Sequence, residues 1–167
     1  MRIRIEEQRD WPAVQAVNES AFETSAEADL VAALRSQAVP VVSLVAEDEG
    51  SVVGHIMFSP VTLSGHPDLK IMGLAPMAVD RRHQHKGIGS LLVRAGLDEC
   101  QRLGYGAAVV LGHPGYYPRF GFVTASSYGI TCVYEVPDEA FMVVELLPGY
   151  LRGASGKIHY HDAFLNL

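Results

Sequence analysis

The sequence predicts an α/β fold (α+β in some schemes) with a mixed central sheet flanked by helices, in one domain covering residues 1–167. Three observations carry that expectation. Ile71 to Leu111 reads as strand, loop, helix, strand, a βαβ unit whose crossover is expected to be right-handed. Short β-rich segments lie on both sides of it. With 49% hydrophobic and 19% charged residues, a chain of this length closes one core and is too short for two domains of common size.

Arg2 to Ile5 alternates polar and apolar residues, as a half-buried strand does. Asp10 before Trp11 and Pro12 marks a helix N-cap, with the helix running through Phe22. A second helix covers about Ala26 to Ser36, with Leu30, Val31 and Leu34 at helical spacing. Val41 to Glu47 and Ser51 to Ser59 are strands joined by the turn Asp48, Glu49, Gly50. Leu63 to Leu69 is expected as a loop. Ile71 to Val79 is apolar throughout, as suits a strand covered on both faces.

Pro76 interrupts that last strand and has no N–H to give to a ladder. Either the strand ends there, or its neighbours part and expose backbone groups to a ligand. From Gly87 onward, Ile88, Leu91, Leu92, Ala95 and Leu103 repeat with a period near 3.6, and Gly104 ends the helix. Ala107 to Leu111, Gly129 to Glu135, Phe141 to Leu147 and Lys157 to Tyr160 are the remaining strand segments.

A net charge of −6 argues against a protein that grips a nucleic-acid backbone and favours cationic small partners. Cys100 and Cys132 are too few for a disulfide scaffold and read as reduced thiols. MRIRIEEQRD lacks an apolar core of signal-peptide length, and no apolar run is long enough to cross a bilayer, so a cytoplasmic chain is expected.

The chemistry concentrates in VDRRHQHKGIGSLL, Val79 to Leu92. A loop leading into a helix offers unpaired N–H groups and the positive end of the helix dipole, which together stabilise an anion. Gly87 and Gly89 let a phosphate approach the backbone, and Gln84, Lys86, Arg81 and Arg82 add donors or charge. Gln84 to Gly89 spells QxxGxG; it is neither a Walker motif nor GxGxxG. A phosphate-loop nucleotide binder is disfavoured by the missing Walker residues.

These residues resemble the acetyl-CoA pyrophosphate loop of GNAT-superfamily N-acetyltransferases, whose motif is [QR]xxGx[GA]. A second match is the YxxxGF of a short helix that follows the next strand, here Tyr117, Pro118, Arg119, Phe120, Gly121 and Phe122. The order of elements agrees over nearly the whole chain, and LAPMAV with LGHPGYYPRFGF is similar to a bacterial branch of N-acetyltransferases typified by YhbS.

The resemblance implies a GNAT fold with splayed parallel strands, acetyl-CoA as cosubstrate, and an amine of a small molecule or a protein as acceptor. Pantetheine would pair with Met77, Ala78 and Val79, a backbone N–H near Val79 would face the thioester oxygen, and the pyrophosphate would rest on Gln84, His85, Lys86, Gly87, Ile88, Gly89 and Ser90. His113, Tyr116, Tyr117 and Phe120 complete the implied cofactor contacts. Tyr117 matches the tyrosine that protonates the departing thiolate, with Tyr116 a neighbour easily confused with it. Otherwise both tyrosines are core aromatics. Glu23 and Glu27 are candidate bases, or simply solvated surface charges. The HxH pairs His83/His85 and His159/His161 lack a companion Cys or carboxylate at ligand spacing, so no metal is expected. A non-catalytic acyl-CoA sensor of the same fold is the alternative reading, and a homodimer is a possible assembly.

Overall fold

The pattern folds as nine strands and three α-helices, and the computed structural model describes residues 1–167. In chain order they are β1 (Arg2–Ile5), α1 (Trp11–Phe22), α2 (Ala26–Gln37), β2 (Val42–Asp48), β3 (Ser51–Leu63), β4 (His66–Val79), α3 (Ile88–Arg102), β5 (Ala107–Leu111), β6 (Val123–Thr124), β7 (Ile130–Cys132), β8 (Phe141–Glu145) and β9 (Gly156–His159). Strands lie side by side as β1-β2-β3-β4-β5-β8-β6, while β9 pairs with the end of β3 and carries β7. Of the long central strands only β4 and β5 run parallel, joined by α3. No helix is long and apolar enough to cross a membrane.

Side-chain alternation gives the sheet two covered faces. Leu44, Ile56, Phe58, Met72 and Val110 turn toward α3, which offers Leu92, Val93 and Leu97. At Gly96 a Cβ would collide with the Phe58 ring, so the glycine lets α3 lie close to β3. On the other face Val45 and Met57 meet Val14, Leu30 and Leu34 of the first two helices, and Ile71, Val109 and Val143 meet Leu151 and Ile158. Each fully buried aliphatic side chain contributes about 1.5–3 kcal/mol of transfer free energy.

Three expectations are corrected. Leu63 to Leu69 is not a loop: β3 and β4 continue through it, pairing Leu63 with His66 around Ser64 and Gly65, whose φ of +79° suits a tight turn. Asp10 occupies the N-cap of α1 without bonding to its N–H groups, because Arg4 (2.7 and 2.9 Å) and the Glu7 N–H (2.8 Å) already hold its carboxylate. The Arg4 guanidinium lowers the Asp10 carboxyl to about 2. Of Gly129 to Glu135 only Ile130–Cys132 is strand.

Pro76 does not end β4. Phe58 pairs with Leu74 and Ile56 with Met77, so Ala75 and Pro76 together oppose Met57 in a β-bulge. The β4–β5 ladder meanwhile stops at Leu74 opposite Val110. Beyond it β4 keeps β3 as partner, while Gly112 turns away and donates to the Ala140 carbonyl (2.9 Å). The two parallel strands therefore part.

Beneath α1 a polar trio replaces apolar packing. Asn18 Nδ2 donates to the Val14 carbonyl (3.0 Å) and lies 3.3 Å from His55 Nδ1; His55 Nε2 lies 2.9 Å from Ser43 Oγ. The Asn18 bond to Val14 sets which end of the amide faces the ring, so Nδ1 accepts and Nε2 carries the proton. Burial, with the Arg35 charge second, pushes His55 down to about 3 from 6.5. The folded state excludes the protonated form, so stability is full above 6.5 and declines as pH falls, with a slope of up to about 1.4 kcal/mol per pH unit. We expect the urea midpoint to drop between about pH 7.5 and about pH 5 more steeply for the native chain than for His55→Gln. Parallel pH profiles for the two proteins would refute that coupling.

Candidate active site

Where β4 loses β5, its backbone faces open space. The Asp80 N–H donates to the Val53 carbonyl (2.8 Å), and in an antiparallel ladder every second residue pairs. Ala78 thus pairs with His55, whereas Met77 and Val79 turn their N–H and C=O groups away from β3 into the wedge. The Val79 carbonyl accepts from Gln84 Nε2 (3.0 Å), which ties the following loop back to the strand.

That loop closes one end of the wedge. Asp80 accepts from the Arg82 N–H (2.9 Å) and caps a short turn, Arg81–His83. His85 (φ +65°) and Gly87 (φ +84°) then wind the backbone through left-handed conformations into α3. The first α3 bond runs from the Leu91 N–H to the Gly87 carbonyl (3.2 Å), so the N–H groups of Ile88, Gly89 and Ser90 have no intrahelical acceptor. Amides turned inward around left-handed residues at a helix N-terminus form an anion nest.

The cleft so formed has a volume of about 750 Å³. Of the residues singled out in the sequence, Met77, Ala78, Val79, Gln84, His85, Gly87, Ile88, Gly89, Ser90, His113 and Tyr116 line it, and Lys86, Tyr117 and Phe120 do not. Ala21, Phe22, His83 and Arg119 also line it. Arg119 was within reach of the sequence, inside the YPRF turn; Ala21 and Phe22 come from the far end of α1, whose approach only the folded sheet reveals.

The YxxxGF segment is a 3-10 turn, Tyr117–Phe120, and it sends its two tyrosines opposite ways. Tyr116 faces the cleft, with its hydroxyl 3.0 Å from Ser90 Oγ. Tyr117 is buried in the α3-side core against Phe122, its ring lying over Gly112 where β5 turns off, so that a Cβ at Gly112 would collide with it. The Tyr117 hydroxyl makes no hydrogen bond, yet is not among the fully enclosed polar atoms without partners, so it retains an opening. Burial, reinforced by Tyr116, pushes the phenol up to about 12.

Glu23 caps α1 in a left-handed conformation (φ +62°) and is ion-paired with Arg81 at the exposed rim. Glu27 lies in the first turn of α2 and accepts from the Thr24 hydroxyl (3.2 Å). His83 and His85 share the cleft, but no three His, Cys, Asp or Glu side chains stand close enough to hold a metal ion. Cys100 is buried in α3, where desolvation raises its thiol to about 12.

A sheet parted between parallel strands, with free strand backbone on one side and an anion nest at a helix N-terminus on the other, defines an acyl-CoA N-acyltransferase architecture. The profile of the Acetyltransferase (GNAT) family matches residues 3–122. The chain is 41% identical over 165 residues, 98% of each protein, to the uncharacterized N-acetyltransferase YhbS of Escherichia coli (strain K12). The crystal structure of YhbS from Escherichia coli in complex with CoA superimposes with a TM-score of 0.91 at 39% identity, covering 98% of this chain and 91% of that one. A GNAT family acetyltransferase from Brucella melitensis in complex with acetyl-CoA gives 0.79 at 35% identity, covering 98% and 97%. The chain belongs to the GNAT acetyltransferase family.

Proposed function

We propose that the protein transfers the acetyl group of acetyl-CoA to an amine, by direct attack within a ternary complex. The observation that carries this is the pair of Met77 and Val79 backbone edges turned into the wedge and leading into the anion nest at Gly87 to Ser90. Pantetheine is a chain of amides, and an unpaired strand edge binds it as another strand would. The nest takes the pyrophosphate. That two relatives at 39% and 35% identity were crystallised with CoA and with acetyl-CoA supports the same cosubstrate here.

The neutral amine attacks the thioester carbonyl, and the Val79 N–H stabilises the oxyanion that develops. As the tetrahedral adduct collapses, the C–S bond breaks and the thiolate takes the Tyr117 proton, which reaches it through the opening this hydroxyl retains although the ring does not line the cleft. A buried phenol near 12 is protonated at neutral pH and suits that role. The amine proton leaves to water, because Arg81 already engages the Glu23 carboxylate, the candidate base at this rim. Tyr117 then recovers its proton from solvent. The products are an N-acetyl amide and free CoA.

Calorimetric titration with acetyl-CoA, followed by thiol release over an amine library, tests the assignment. Micromolar binding with thiol release on some amine is the expected result. Binding without release on any amine would instead identify an acyl-CoA sensor, and no binding would overturn the cofactor reading.

A further inference from the structure

No aspartate or glutamate lines the cleft; its titratable lining groups are His83, His85, His113, Tyr116 and Arg119. The carboxylate at its rim, Glu23, is ion-paired with Arg81. The net charge of −6 is therefore not expressed where the acetyl group would be transferred. An ammonium brought here meets a guanidinium, and neutral imidazoles offer it hydrogen-bond acceptors but no opposing charge.

The wall supplied by α1 is aromatic and fixed in place. Phe22 lines the cleft and is 36% exposed, a large apolar side chain left facing open space. It stands one helical turn beyond Asn18, which is fully buried and lies with its Nδ2 3.3 Å from His55 Nδ1 of β3. A buried polar contact has one geometry, whereas an apolar one can slide, so the last turn of α1 is held at a set depth on the sheet. Pantetheine takes the Met77 and Val79 edge and the pyrophosphate takes the nest, which leaves Ala21 and Phe22 to the acceptor.

Direct attack needs a free nitrogen lone pair. An amine like that of lysine, with a pKa of about 10.4, is uncharged in roughly one molecule of 2,500 at pH 7. An arylamine shares its lone pair with the ring and holds a proton weakly, so it arrives uncharged and brings an aromatic face to Phe22.

Resting on the acetyl-CoA reading, we infer that the acceptor is a weakly basic amine on an aromatic body, an arylamine, seated against Phe22. Its nitrogen attacks the thioester carbon without first losing a proton. The C–N bond forms, the C–S bond breaks, the thiolate takes the Tyr117 proton and one N–H proton leaves to water.

Thiol release at saturating acetyl-CoA, with 4-methoxyaniline, benzylamine and methoxyamine as acceptors, is the test. At pH 7 the native protein is expected to show a kcat/KM about tenfold higher for 4-methoxyaniline than for benzylamine. Between pH 7 and 9 the benzylamine value should rise about tenfold per pH unit while the 4-methoxyaniline value stays flat, as the neutral fraction of each amine dictates. Phe22→Ala should cost about tenfold with 4-methoxyaniline and less with methoxyamine, which is weakly basic but has no ring. Benzylamine equal to or faster than 4-methoxyaniline at pH 7 overturns the inference, as does an equal loss for both weakly basic amines in Phe22→Ala. Calorimetric binding of acetyl-CoA without thiol release from any of the three also overturns it. If acetyl-CoA itself does not bind, the acetyl-CoA reading fails and the acceptor inference with it.

Discussion

Tyr117→Phe is expected to lower kcat about a hundredfold while leaving acetyl-CoA affinity unchanged, because it deletes one proton and no packing surface. The ring stays over Gly112 and against Phe122, so the α3-side core is preserved. Tyr116→Phe supplies the contrast. Its hydroxyl meets Ser90 Oγ at the α3 N-terminus, the proposed pyrophosphate site, so its loss should act mainly on KM. Steady-state kinetics on the two variants decides between them. A large kcat loss in the Tyr116 variant with none in the Tyr117 variant would transfer the acid role to Tyr116.

Gly89→Val should weaken acetyl-CoA binding about a hundredfold and leave the folded protein intact. A Cβ at Gly89 would come within 3.2 Å of the Tyr116 hydroxyl and 3.5 Å of Met77 Cε, so a branched side chain fills the cleft instead of packing elsewhere. The loss combines a phosphate held off the backbone amides with a narrowed wedge. Calorimetry reads the affinity and a thermal scan the fold. Native affinity in a folded Gly89→Val protein would remove the loop from the phosphate site.

The parts of this molecule legible in sequence are those where one local rule dominates. The 3.6 period of Ile88, Leu92, Ala95 and Leu103 places α3, although Leu91 of the same stripe stays exposed, and the unbroken apolar run from Ile71 places the middle of β4. Glycines before a helix mark the nest without reference to the rest of the chain. The hairpin through Ser64 and Gly65 is hidden because His66, Pro67, Asp68 and Lys70 carry little apolar signal, and only pairing with the far end of β3 makes them strand. Pro76 poses the right question, but its answer depends on which neighbour keeps its hydrogen bonds.

The active-site chemistry divides along the same line. Tyr116 and Tyr117 are adjacent in sequence, and no periodicity tells which ring lines the cleft and which packs into the core; the 3-10 turn and the Gly112 contact decide it. Glu23 depends on the fold in another way. Its position at the end of α1 makes it a reasonable base, and only the approach of Arg81 from another element engages its carboxylate.

The bulge at Ala75 and Pro76 has a consequence for how this protein tolerates change. Just beyond it β5 departs and the backbone of Met77 and Val79 is left free, so the proposed grip on the cosubstrate falls to atoms common to nearly every amino acid. Ordinary side-chain replacements along that edge leave those donors and acceptors in place; at Val79 only proline or an ester linkage removes the amide hydrogen. In the proposed reaction the transfer step is thus insulated from sequence drift, while the cleft wall at Ala21 and Phe22 is made of side chains that can change without touching those backbone groups.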